Sequence, residues 1–223
     1  IQLTNGVQGL LDAVRELDAD DDLTAGVLTG NGRAFCAGMD LKAFARGEDI
    51  GPMNVFIREG CEKPLIAAIE GFALAGGCEL ALTCDLLVAS KSSKIGIREV
   101  KVGLFAAGGG LMRLGARVGL TKAMELAVTG EPMTADEALT FGLLSEVTED
   151  GDSLDAAVAW AERIAENAPL AVAASKKLVR AAGMGIDEDS LWEMQTPLMQ
   201  KVFSSNDAKE GPAAFAEKRA PNW

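Results

Sequence analysis

The fold is decided by the stretch Phe72-Ala73-Leu74-Ala75-Gly76-Gly77-Cys78-Glu79-Leu80-Ala81-Leu82-Thr83-Cys84-Asp85. The apolar run Leu65–Ile69 before it stands between a proline and a glycine and predicts a buried strand. After Gly76 and Gly77 the pattern becomes helical and ends near Asp85. Adjacent glycines let the backbone approach a ligand closely. The first N–H groups of the predicted helix have no intrahelical partner, so they can receive negative charge.

Glu79 is the one charged residue of this predicted helix. A single glutamate on a helix is usually solvated, but no other charge lies between Gly71 and Thr83. A helix that is apolar on every side is buried, and a buried carboxylate needs a partner or a functional role. Glu79 follows Gly76 by three residues and therefore lies on the same helix face. The sequence thus predicts that a backbone donor and a carboxylate converge on one place.

Composition limits the possible functions. The chain has 223 residues, 48% hydrophobic and 24% charged, which is typical of one sizeable globular domain. Its net charge of −12 and the lack of a basic run disfavour a nucleic-acid surface. Histidine is absent, which excludes Ser–His and Cys–His nucleophile pairs and histidine-ligated metals, so no metal site is predicted.

Cysteines and hydropathy indicate the compartment. The four cysteines form no C-x-x-C pair, so we expect them to be reduced and buried, as in a cytoplasmic protein. No apolar run reaches the ~18 residues of a membrane-spanning helix, so no membrane association is expected. Ile1 is not a natural initiator, and upstream residues are expected to precede it.

The remaining chain alternates short strands with helices. Residues 48–64 are poorly patterned and are interpreted as a flap. The glycine triplet Gly108-Gly109-Gly110 opens a predicted helix, but it fits neither G-x-G-x-x-G after a strand nor the phosphate loop with its lysine. Thr134 and Glu137 form a predicted capping box. The other predicted elements are a helix at 4–17, strands at 25–29, 86–90, 94–97 and 144–148, and helices at 122–129, 134–141, 153–167, 169–182, 187–204 and 207–218.

Four blocks, in order, resemble the crotonase superfamily, the enoyl-CoA hydratase/isomerase family. They span most of the chain: Ala34–Leu41, Ile66–Asp85, Gly130–Leu144 and Glu210–Arg219. The family's first strand and its N-terminal coenzyme A segment have no counterpart here. The resemblance implies an α/β fold in which a spiral of ββα turns, residues 1–150, holds the acyl-CoA site. A C-terminal helical region, 151–223, would pack on this core and on a neighbouring subunit, giving a homotrimer or a hexamer made of two trimers.

The resemblance also implies the ligand and its contacts. The ligand is an acyl thioester of coenzyme A, with no other cofactor. By motif position, the backbone N–H groups of Met39 and Gly76 grip the thioester oxygen as an oxyanion hole. Coenzyme A is expected to contact the neighbouring backbone at Ala37, Gly38, Asp40, Leu41 and Gly77. One C-terminal lysine, Lys218, is also expected to contact it.

Two glutamates are implied as the catalytic acids. Hydratases of the family carry them at the positions of Glu79 and Glu99, which implies syn addition of water to a 2-trans-enoyl-CoA. Double-bond isomerases of the family usually keep one acid, and a non-catalytic acyl-CoA binding protein is a third possibility. Two features depart from the hydratase pattern: Arg98 replaces a proline, and 105–112 replaces a Pro-Gly-x-Gly-Gly-Thr-Gln run. An Arg98–Glu99 ion pair would hold Glu99 ionised and disfavour it as a general acid.

Overall fold

The computed structural model describes residues 6–42, 46–47 and 51–223. Its strands are β1 Gly26–Thr29, β2 Leu65–Ile69, β3 Phe72–Leu74, β4 Leu86–Ser90, β5 Lys94–Gly96, β6 Met133–Thr134 and β7 Glu146–Thr148. Its helices are α1 Gly6–Ala19, α2 Gly51–Glu59, α3 Gly76–Thr83, α4 Gly110–Val118, α5 Leu120–Thr129, α6 Ala135–Thr140, α7 Ser153–Ala165, α8 Pro169–Gly183, α9 Glu188–Phe203 and α10 Asp207–Glu217. A short 3₁₀ turn covers Glu99–Val102.

Two small sheets make the β part of the fold. The first has the order β1-β2-β4-β7 and all of its pairs are parallel. In the second, β3 pairs with β5 in parallel and β5 pairs with β6 antiparallel. The predicted strands Leu65–Ile69 and Leu86–Ser90 are confirmed with unchanged bounds. Strand β3 was not predicted, because three residues are too few for a readable alternation.

The parallel sheet is covered on both faces, which is why its central strands are apolar throughout. Ile66, Ala68 and Val88 pack with α7 residue Ala157 in a small cluster on one face. Residues that alternate with them, such as Leu65 and Ile69, belong to the main core on the other face. Helix α3 lies in this main core, where Leu80, Ala81 and Leu82 are completely buried. The functional stretch is therefore fixed rigidly against the sheet.

The structure of residues 51–59 contradicts the interpretation of this part of the chain as a flap. The poorly patterned segment 48–64 contains helix α2, so the flap interpretation is wrong for this part, while residues 48–50 lie outside the described residues. Phe56 and Ile57 are buried against the core and hold the helix in place. A helix of nine residues completes fewer than three turns, so its apolar stripe is too short to be recognised by periodicity.

The C-terminal helices are joined to the core at Asp85. Lys176 Nζ lies 2.6 Å from Asp85 Oδ2, and Arg180 Nη1 lies 3.7 Å from Oδ1. The same carboxylate accepts a hydrogen bond from Leu65 N at 2.8 Å. Asp85 thus connects the end of α3, the start of β2 and helix α8. No helix within the described ranges is both long and apolar enough to cross a membrane.

Two local predictions are also confirmed. Glu137 N donates to Thr134 Oγ1 at 3.1 Å and Thr134 N donates to Glu137 Oε2 at 2.9 Å, which is the predicted capping box. The four cysteines are free thiols, and Cys61, Cys78 and Cys84 are buried as predicted, whereas Cys36 is only half-buried. Burial raises the pKa of three of them to about 12, namely Cys61, Cys78 and Cys84.

Candidate active site

Two unused backbone donors lie side by side at the start of α3. Cys36 N donates to Phe72 O at 2.9 Å and Leu74 N donates to Cys36 O at 3.0 Å, which brings the loop after Cys36 against β3. A Cβ built on Gly76 would lie 3.7 Å from Met39 N. Among the described residues, no hydrogen bond uses the N–H of Met39 or Gly76. The structure therefore brings together the two donors that the sequence predicted as an oxyanion hole.

Close backbone approach at this point requires glycine. A Cβ on Gly77 would lie 2.0 Å from Cys36 O, which no side chain can occupy. Gly38 has a φ of +96°, and a Cβ there would lie 2.9 Å from the Cβ of Ala75. The two segments that carry Met39 and Gly76 are thus in backbone contact, so their separation is set by the main chain and does not depend on a flexible side chain.

Ala75 precedes α3 in a strained conformation. Its φ of 53° and ψ of −128° are rare for a residue with a side chain and cost on the order of 1–3 kcal/mol. Its own backbone groups are fully used. Its N–H donates to Gly96 O at 2.9 Å, and its carbonyl accepts from Cys78 N and Glu79 N. These bonds hold the strained turn and leave the next N–H, that of Gly76, free to point outward.

Glu79 is buried and its carboxylate is held by a glycine loop. The side chain is only 5% exposed, and its Oε1 accepts a hydrogen bond of 3.0 Å from Gly110 N, the first residue of α4. A Cβ on Gly108 would lie 2.7 Å from Glu79 Oε2, and one on Gly110 would lie 2.9 Å from its Cγ. The glycine triplet whose role the sequence left open therefore surrounds a carboxylate of the protein itself.

The pKa of Glu79 is raised above its ordinary value. Burial is the main cause, and the negative charge of Glu99 acts in the same direction. Backbone hydrogen bonds from Gly110 and Gly108 and the positive charge of Arg113 oppose the rise. Two neighbouring carboxylates, one of them with a raised proton affinity, are the arrangement that general acid–base chemistry requires.

Glu99 lies in the 3₁₀ turn after β5. Its Oε2 is buried and has no hydrogen-bond partner among the described residues. Arg98 is exposed and, in the described part of the chain, forms no ion pair with Glu99. The charge of Arg98 acts instead on Glu131, whose pKa is lowered mainly by Lys101 and to a smaller degree by Arg98. A buried oxygen without a partner is available to a bound water or substrate.

The loop beside α3 carries Met39, which was predicted for the oxyanion hole, and most of the residues expected to contact coenzyme A. Ala37, Met39, Asp40 and Leu41 are exposed beside α3, and the Asp40 carboxylate accepts a hydrogen bond of 2.8 Å from Lys42 N. Gly38 and Gly77 lie beneath them in the backbone contact. Lys218 is exposed at the end of α10, and no hydrogen bond or ion pair of the described residues links it to this loop. The contribution of Lys218 to coenzyme A binding therefore stays a prediction.

Sequence reasoning missed Arg113. This residue on α4 donates hydrogen bonds to Thr83 Oγ1, to Gly108 O and to Ile57 O. The available signal was the first of two arginines, Arg113 and Arg117, on the helix that follows the glycine triplet. Clusters of three or more histidine, cysteine or carboxylate side chains that could hold a metal do not occur in the described ranges.

Comparisons with known proteins identify the family of this chain. The family model described as enoyl-CoA hydratase/isomerase matches residues 4–223. The chain is 42% identical over 225 residues to enoyl-CoA hydratase EchA19 of Mycobacterium tuberculosis, covering 96% of this chain and 84% of that protein. It is 39% identical over 217 residues to the carnitinyl-CoA dehydratase of Proteus mirabilis, covering 92% of this chain and 82% of that protein.

A solved structure shows the same fold. The crystal structure of enoyl-CoA hydratase EchA1 from Mycobacterium marinum superposes with a TM-score of 0.93 at 51% sequence identity. The match covers 97% of this chain and 87% of the other. The α/β fold that the sequence predicted, including its resemblance to the crotonase fold, is confirmed.

Proposed function

The chain belongs to the enoyl-CoA hydratase/isomerase family, and we propose that it is a hydro-lyase that adds water to a 2-trans-enoyl-CoA. One arrangement carries the proposal: the buried Glu79, whose pKa is raised in part by the charge of Glu99, lies on the same helix as Gly76, and the N–H groups of Gly76 and Met39 make no hydrogen bond among the described residues. The names of the relatives are consistent with it, since hydratase and dehydratase describe the two directions of one reaction.

The proposed reaction needs each of these groups. A water oxygen forms a bond to Cβ of the enoyl thioester while ionised Glu79 takes the water's proton. The electron pair of the double bond moves toward the thioester carbonyl, so negative charge develops on its oxygen. The N–H groups of Met39 and Gly76 stabilise this charge, and one such donor contributes roughly 3–4 kcal/mol in other enzymes. Glu99 then supplies the proton to Cα, and a proton passes from Glu79 back to Glu99.

The helix start adds to this stabilisation. Gly76 is the first residue of α3, so its N–H lies at the positive end of the helix dipole, which favours an oxyanion there. If both carboxylates act from one side of the planar enoyl group, the hydroxyl and the proton are added to the same face. This accounts for the expected syn stereochemistry.

Double-bond isomerisation is the second candidate within the family. It moves one proton between two carbons of the acyl chain and can be done by a single carboxylate. The buried, unpaired Oε2 of Glu99 favours hydration, because an isomerase using Glu79 alone would leave this acid without a function. A non-catalytic acyl-CoA binding protein would not need either buried acid.

The test compares two reactions in matched variants. Glu79→Gln and Glu99→Gln should each reduce hydration of crotonyl-CoA at least ~100-fold, the usual general acid–base contribution, and leave thioester binding within a few-fold. Glu149→Gln is the control, since this exposed glutamate pairs only with Lys91 at the surface. Normal hydration by Glu99→Gln would contradict the two-acid mechanism. Isomerisation of a 3-enoyl-CoA without hydration would establish the second candidate, and binding without turnover the third.

Assembly and location form part of the same proposal. Large apolar side chains of the C-terminal helices are exposed, including Val179 at 73%, Phe203 at 74% and Phe215 at 87%. Such surfaces mark protein contacts, which supports a homotrimer or a hexamer of two trimers. A neighbouring subunit would then supply Lys218 to coenzyme A. Four free thiols support a reducing compartment such as the cytoplasm.

A further inference from the structure

Arg113 joins three structural elements around the buried acid. Its guanidinium donates to Thr83 Oγ1 of α3 at 3.4 Å, to Gly108 O of the glycine loop at 3.3 Å and to Ile57 O of α2. A Cβ built on Gly109 would lie 3.0 Å from Arg113 Nη1, so the side chain also packs directly on this loop. The loop that surrounds the carboxylate of Glu79 is thus tied to its neighbours by one cation.

The charge of Arg113 is only partly compensated. Its three acceptors are a hydroxyl and two carbonyls, and in the described part of the chain no carboxylate forms an ion pair with it. Burial lowers the pKa of Arg113, and the nearby charges of Arg180 and Arg117 lower it as well. Among the described residues, the charge of Glu79 acts in the opposite direction. The charge of the half-buried Arg113 is therefore compensated by the carboxylate of Glu79, which is the proposed base.

We propose that Arg113 is a positioning residue for the hydration: it fixes the Gly108–Gly110 turn against Glu79 and supplies the charge that keeps Glu79 ionised as the base. This role rests on the proposed function only in naming Glu79 as the base. The contacts themselves do not depend on which reaction the site performs.

The physical consequence is a change in the proton affinity of Glu79. Burial and the charge of Glu99 raise its pKa, whereas the amides of Gly108 and Gly110 and the charge of Arg113 lower it. Removing Arg113 deletes the positive charge that lowers the pKa of Glu79. It also releases the loop whose two amides, those of Gly108 and Gly110, lower the same pKa. Cys78, on the same helix, adds no charge near Glu79, because burial raises its thiol pKa to about 12. Without Arg113 the pKa of Glu79 should rise further, so Glu79 should become protonated, and stop acting as a base, at a higher pH.

Arg113→Met is the informative variant, because it keeps the length of the side chain and removes its charge and donors. In this variant we expect the pH at which kcat falls on the acidic side of its profile to rise by about one unit. At a pH below this limb, turnover should then be about tenfold lower than in the unaltered protein. KM for the thioester should change less than about threefold, because no thioester contact is removed. Arg113→Lys retains the charge, so its acidic limb should return most of the way to the pH of the unaltered protein.

Arg117→Met is the matched control. Arg117 lies one turn later on α4, is also largely buried and donates to Cys84 O, away from Glu79 and its glycine loop. This substitution should reduce thermal stability about as much as Arg113→Met and leave the acidic limb in place. If both variants move the limb equally, or if neither does, the role assigned to Arg113 is wrong.

A second measurement keeps the two proposals separable. Carbon-13 NMR of labelled glutamate, with Glu79→Gln to assign the signal, follows the ionisation of Glu79 without any substrate. The midpoint should rise in Arg113→Met and return toward the original in Arg113→Lys. An unchanged midpoint would overturn the role of Arg113. A shifted midpoint in a protein that hydrates no enoyl thioester would instead overturn the proposed reaction and leave the Arg113–Glu79 coupling intact.

Discussion

Replacing Gly76 by valine tests the proposed oxyanion hole in a protein whose fold should be unchanged. Among the described residues, a Cβ on Gly76 would meet Gly38 Cα and Met39 N, both at 3.7 Å, which is ordinary van der Waals contact. The backbone of Gly76 also needs no left-handed conformation. The protein can therefore accept the first side-chain atom without moving. The two Cγ atoms of valine lie further from the backbone, in the space that the thioester oxygen should occupy beside the two N–H groups.

The expected magnitudes differ greatly for stability and for turnover. Valine is a slightly better helix former than glycine, so the free energy of unfolding should change by less than about 1 kcal/mol. Blocking access to one oxyanion donor should lower turnover by roughly 10²–10³-fold, the scale of about 3–4 kcal/mol seen when such a donor is removed. Steady-state hydration of crotonyl-CoA per folded molecule measures the second effect, and urea unfolding measures the first.

Two other glycines provide the controls. Gly115 lies inside α4, and no heavy atom of the described residues lies within 4 Å of a Cβ built on it, so Gly115→Val makes the same change in a helix with open space and should keep normal turnover. Gly77→Ala should damage the fold itself, because its Cβ would lie 2.0 Å from Cys36 O. A folded Gly76→Val protein with ordinary hydratase turnover would show that the thioester oxygen binds elsewhere and that the pairing of Gly76 with Met39 has another purpose.

Two further predictions follow from burial. Because the folded-state pKa of Glu79 is raised, the protonated form stabilises the fold, and stability is lost as pH rises through that pKa. Glu79→Gln should therefore be more stable than the unaltered protein at pH 8, by about 1.4 kcal/mol for each unit of pKa shift, and urea unfolding should show this advantage disappearing toward pH 4. In sedimentation at micromolar concentration we expect a trimer or a hexamer, since apolar residues such as Phe215 are exposed in one subunit; a monomer would refute both the assembly and the proposed reach of Lys218.

The sequence predicted best where one physical requirement dominated. Leu65–Ile69 is buried on every residue, so an apolar run between chain-breaking residues sufficed to identify it. The paired glycines at the start of α3 were readable because a close backbone contact excludes a side chain. Helix α2 was missed because it is short, and its position depends on Phe56 and Ile57 meeting distant parts of the core. Tertiary contacts of this kind leave little trace in local periodicity.

The glycine triplet keeps its contacts with Glu79 despite the departures from the hydratase pattern. Gly108 and Gly110 remain where any Cβ would strike the carboxyl group of Glu79, and Gly109 keeps a φ of +87° that favours glycine. Among the replaced residues, Phe105 and Met112 are each 68% exposed, whereas Ala106 is buried in the main core. The contacts that hold Glu79 are thus retained by backbone, and the two largest changed side chains lie at the surface. Arg113, which no local pattern identified, fits the same logic, since it acts on Glu79 through the backbone of this loop.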